Sequence, residues 1–145
     1  MKMSMISCVL LICVSALFIS CGSSKNNNKE GMMTGNDKDE HGCIASAGYT
    51  WSEVQKDCIR LWEKGVRMES IADTTKTAYL IFSPDSAQIE LFFSGDQPNE
   101  ILDRRSLPSG GYAWNVEDDD TKNVRIEAGR WTISQRGNLI YRQSK

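Results

Sequence analysis

The chain predicts a mainly β, α+β domain: a small antiparallel up-and-down meander, either a barrel or a strongly curved sheet, with one helix on its N-terminal side. Three observations lead there. Short apolar alternations recur from Val66 onward, turn residues separate them at roughly ten-residue spacing, and a single stretch ahead of them carries helical spacing with a start signal.

The helix is expected over about 51–64. Thr50-Trp51-Ser52-Glu53 fits a capping box, in which the Glu53 amide would donate to the Thr50 hydroxyl and the Thr50 amide to the Glu53 carboxylate. Trp51, Val54, Cys58, Leu61 and Trp62 then share one helical face, and Gly65 follows as a stop. Strands are expected over 66–72, 77–83, 87–93, 100–106, 111–117, 122–128, 130–135 and 138–143, a meander from about 66 to 143. Alternation is clearest in Ala87, Ile89, Leu91, Phe93, in Tyr112, Trp114, Val116, and in Val124, Ile126, Ala128, each set marking a buried face. Ser83-Pro84-Asp85-Ser86, Gly95-Asp96, Pro108-Ser109-Gly110-Gly111, Ala128-Gly129 and Arg136-Gly137-Asn138 supply turn chemistry. Tight links favour sequential antiparallel neighbours, and closure would remove exposed strand edges. Strands this short fill a barrel with their own side chains, which counts against a ligand carrier.

Ahead of the domain lies an address. Met1-Lys2-Met3-Ser4 is short and basic, and Met5–Ile19 is almost wholly apolar, too short for a comfortable span and right for a secretory signal over 1–20. Its end, Phe18-Ile19-Ser20-Cys21, resembles the lipobox of bacterial lipoproteins, with Phe18 where Leu is commoner. The resemblance implies that Cys21 becomes the first mature residue and carries acyl chains, which tether the protein to a membrane of the cell envelope, the outer membrane before the inner. An uncleaved N-terminal anchor is the alternative. Residues 21–40, rich in Gly, Ser, Asn, Lys and Asp, read as a flexible linker, leaving 41–145 as one folded domain. Of five cysteines, Cys8 and Cys13 leave with the signal and Cys21 takes lipid, so Cys43 and Cys58 remain to form a disulfide in an oxidising compartment, pinning the preceding coil to the helix. The segment from Gly42 to Glu63 resembles a Cys-framed stretch of secreted and envelope proteins, which implies location rather than activity.

Composition narrows the chemistry. Seventeen Lys+Arg against nineteen Asp+Glu, a formal charge of −2, provide no basic surface for nucleic acid. His41 is the lone histidine, so imidazole-based catalysis has one candidate and no partner. With Cys43 and Cys58 it forms too thin a ligand set for a metal, and no cofactor motif is present. Ser109 has no nucleophile elbow around it. The chain reads as a non-enzyme.

Two surface features remain. Glu117-Asp118-Asp119-Asp120 sets four carboxylates in a row, which would attract a cationic partner. Adjacent acids lack the alternate ligand spacing of a calcium loop. Leu107-Pro108-Ser109-Gly110-Gly111-Tyr112 is a Gly-rich loop ending in an aromatic. Residues 78–142 resemble the membrane-bound lipoprotein inhibitors of c-type lysozyme, compact antiparallel barrels with a Ser-Gly loop that enters the lysozyme cleft. The resemblance implies that the Ser109-Gly110 loop presents Ser109 to the target's catalytic carboxylates, that Tyr112 supports the loop, and that in Ala128-Gly129-Arg130-Trp131, where that family has Lys before Gly and this chain does not, Arg130 substitutes as the cation. The expected partner surface is thus Ser109, Gly110, Tyr112, Asp118, Asp119, Asp120 and Arg130, meeting a cationic protein such as lysozyme. The other reading is a structural or accessory lipoprotein docking to another envelope protein.

Overall fold

A computed structural model describes residues 37–115 and 120–145. The expected signal peptide, Cys21 and most of the linker lie outside the described residues, as do Val116, Glu117, Asp118 and Asp119. The described chain is already engaged at Asp37, whose carboxylate accepts from the Ser46 amide at 2.6 Å. Lys38 bridges Ile44, so contacts begin before the boundary expected at residue 41.

After a 3-10 turn at Ala45–Ala47 comes a short hairpin, β1 (Thr50–Ser52) against β2 (Asp57–Ile59), followed by a single α-helical turn, α1 (Leu61–Lys64). Eight strands follow: β3 (Val66–Ser70), β4 (Thr77–Phe82), β5 (Gln88–Phe93), β6 (Glu100–Ser106), β7 (Tyr112–Asn115), β8 (Lys122–Glu127), β9 (Arg130–Gln135) and β10 (Asn138–Gln143). Each is antiparallel to its sequence neighbour, and β10 pairs back onto β3, closing a barrel. The apolar alternation explains the closure. Met68, Ala78, Leu80, Ile89, Leu91, Leu102, Trp114, Val124, Ile133 and Tyr141 all point inward and pack into one core. These side chains fill the interior.

The helix expected over 51–64 does not form; only its last turn exists. Trp51 pairs directly with Cys58 across the hairpin. Thr50, Trp51, Cys58 and Ile59 also suit strands, and the outcome is decided by what the segment lies on. Val54 and Ile59 pack on Ile81 and Phe92, which project from the outer wall of β4 and β5. The capping-box groups are used otherwise: the Gln55 amide donates to Ser52 Oγ at 3.2 Å, and Glu53 accepts from the Trp51 indole at 2.9 Å. The disulfide joins Cys43 to Cys58 with Cα atoms 5.5 Å apart, so it ties the preceding coil to a strand rather than a helix.

The topology gives the barrel two unlike ends. Turns 83–87, 107–111 and 128–129 share one end; turns 71–76, 94–99 and 136–137 share the other.

Candidate functional site

The 107–111 end collects most of the expected partner residues. The loop between β6 and β7 is held by two backbone bonds, Leu107 N–H to Gly111 O at 3.1 Å and Gly110 N–H to Leu107 O at 3.0 Å. Gly110 and Gly111 both have positive φ, 86° and 82°, a conformation that a side chain would strain. Ser109 sits at the tip, exposed. Tyr112 pairs with Ser106 at the base of the loop, and the Arg104 guanidinium lies 4.9 Å above its ring.

Arg130 reaches the same end from the next hairpin. Ala128 and Gly129, with φ of 49° and 77°, make the tight turn between β8 and β9. Arg130 opens β9 opposite Glu127, and its side chain is exposed on the outer face.

Beneath this rim lies an aromatic layer. Phe82, Trp114 and Trp131 stand with ring centroids between 5.1 and 5.7 Å apart. The Trp114 indole donates to Ser86 O at 3.0 Å, fastening the 83–87 turn to β7. In that turn Asp85 is held below the usual carboxylate range by hydrogen bonds from the Ser83 hydroxyl and the Ala87 amide.

Above that layer the inward-facing alternation runs past the packed core. Tyr112 and Ile126 occupy inward positions yet are 53% and 57% exposed. Ile126 and Tyr112 were expected on buried faces. The barrel is open at this end, so the last inward side chains of β7 and β8 have no layer above them. Alternation marked Ile126 as a core residue and did not mark Arg104; both are rim residues. The signal available was their position, one strand step from the Tyr112 loop.

Asp120, the one described residue of the acidic run, lies elsewhere. Asp120 leads into β8 at the 136–137 end, with the length of the strands between it and the Ser109 loop. Its carboxylate accepts from Arg136 Nε at 2.6 Å, and its carbonyl accepts from Gln135 at 2.7 Å. Asp118 and Asp119 are outside the described residues. Ser109, Gly110, Tyr112 and Arg130 therefore share one barrel end, and Asp120 lies at the other. Beside it Lys122, 5% exposed, forms an ion pair with Glu100 and stands 4.8 Å over the Phe93 ring.

His41 stacks flat on Trp51, ring centroids 4.3 Å apart. Among the described residues no group of three or more His, Cys, Asp or Glu side chains is placed to hold a metal ion. Among these residues, too, no helix is long and apolar enough to cross a membrane. No family model matches the chain, and neither a curated protein nor a solved structure matches it.

Proposed function

We propose that this chain is a lipid-anchored envelope binding protein that offers the 107–111 end of its barrel to a carboxylate-bearing cleft, as inhibitors of c-type lysozyme do. The observation that carries the reading is the shared exposure of Ser109, Tyr112 and Arg130 at one barrel end. An exposed tyrosine and isoleucine flanked by arginines is the composition of a binding hot spot, in which apolar anchors exclude water around a few directed polar groups. Ser109 supplies a hydroxyl and Arg130 a guanidinium, both donors suited to carboxylates. The Tyr112 ring under Arg104 stiffens the base of the loop, so less freedom is lost on binding.

The test is inhibition of a c-type lysozyme by the full chain in mild detergent, with a soluble oligosaccharide substrate. Inhibition is expected at micromolar protein. Ser109→Ala and Arg130→Gln should each weaken it about tenfold, a loss of about 1.4 kcal/mol. Asp120→Asn, at the far end, should leave it unchanged. No inhibition, together with crosslinking to one discrete envelope protein, would replace this reading with that of an accessory lipoprotein.

A further inference from the structure

On the outer wall of the barrel, β8, β9 and β10 enclose a groove of about 380 Å³ lined by Glu127, Ala128, Arg130, Thr132, Leu139 and Arg142. Register explains how two arginines come to face it. Thr132 stands opposite Arg142 on β10, and Arg130 is two residues before Thr132 on the same face of β9. The two guanidinium-bearing side chains are thus diagonal neighbours.

Among the described residues neither forms an ion pair with a carboxylate. Glu127 lies opposite Arg130, but its carboxylate is taken by Arg125. Glu69 lies opposite Arg142 on β3 and forms no ion pair with it among the described residues. Arg60, Arg125 and Arg136, in contrast, are each paired with a carboxylate. The floor is Thr132, 4% exposed, whose hydroxyl donates to Arg125 O at 3.1 Å and so does not compete for the arginines.

Two like charges beside one groove repel, and the arrangement favours an anion placed between them. A carboxylate has two oxygens and saturates one guanidinium fork. A phosphate group carries a larger charge and more acceptor oxygens, so it can be shared by two forks at once. We propose that this groove binds a phosphate group between Arg130 and Arg142. The same chemistry is offered by free phosphate and by a phosphomonoester lipid headgroup such as that of phosphatidic acid, whereas a phosphodiester headgroup has only one charge and two free oxygens.

The experiment is a low-salt NMR titration of the full chain in non-ionic detergent, following the arginine Nε–H signals. Its probes are inorganic phosphate, the soluble phosphomonoester headgroup glycerol 3-phosphate and acetate. Saturable shifts at Arg130 and Arg142 in the millimolar range are expected with a phosphate probe. Affinity should fall at least fivefold in Arg142→Gln and be lost in the Arg130→Gln/Arg142→Gln double variant, with near-UV circular dichroism unchanged. Binding of inorganic phosphate alone assigns free phosphate; binding of the headgroup as tightly or more tightly assigns a lipid source. The proposal is overturned if neither phosphate probe saturates, if acetate binds equally well, or if the double variant still binds.

Discussion

Glu90 occupies the outer face of β5, 2% exposed, and it is the β1–β2 hairpin that buries it. The Ser52 hydroxyl donates to its carboxylate at 2.7 Å, and the Val54 amide approaches at 3.4 Å. A buried donor that loses its acceptor keeps its full desolvation cost, so removing this acid should cost more than a surface substitution would. Glu90→Ala is expected to destabilise the protein by about 1–3 kcal/mol, measured by urea denaturation, and Glu90→Gln by less, since an amide oxygen can still accept from Ser52. Alternation identifies Glu90 as pointing away from the core between Ile89 and Leu91. Its burial is not legible there, because the covering Ser52 is 38 residues distant in the chain.

The hairpin illustrates what local pattern can decide at the level of an element. For the eight barrel strands, alternation and turn residues agree, and the expected boundaries fall within a few residues of those observed. For 51–64 the signals conflict: apolar spacing favours a helix, while Thr, Trp, Cys and Ile at the ends favour strands. Docking on Ile81 and Phe92 resolves the conflict, and that surface exists only once β4 and β5 are paired. The cysteine pair was legible once the signal and lipobox readings set Cys8, Cys13 and Cys21 aside, although not the element it would join. Cys43 is 1% exposed and Cys58 sits across from Trp51, so the bond fixes both the hairpin and the coil before it. Replacing both cysteines with serine should lower stability by about 3 kcal/mol in the chain-entropy model for a loop of this length. Chemical denaturation would measure the loss, and far-UV circular dichroism is expected to retain the barrel's β signal.

For the whole molecule, acid response gathers the turns into one measurable quantity. Asp37 is held low by its bonds from Ser46, Asp73 by Thr75, Asp85 by Ser83 and Glu53 by Lys56, then Trp51. Each binds its proton less readily when folded, so the unfolded chain takes up protons first as pH falls. Their stabilisation is complete above the ordinary values of 3.8 for Asp and 4.5 for Glu and is lost as pH drops through the folded values. Urea midpoints should therefore stay level from about pH 7 to about pH 5 and fall below about pH 4. A flat profile down to about pH 2 would remove this account of the turns.

The candidate site is legible only in part at this scale. The 107–112 loop and Arg130 stand out in sequence as turn chemistry and a lone cation, and the barrel gathers them. Asp120 stands out equally, yet strand direction sends it to the opposite end, which no single stretch of sequence encodes.

The same closure shapes how the molecule must assemble. Its seam pairs Met68 with Gln143 and Ser70 with Tyr141, the first barrel strand with the last. Every other ladder links neighbours and can form as the chain lengthens, whereas the seam waits for the C-terminal residues and bears the largest loop-closure entropy. Refolding should accordingly be limited by the joining of β10 to β3.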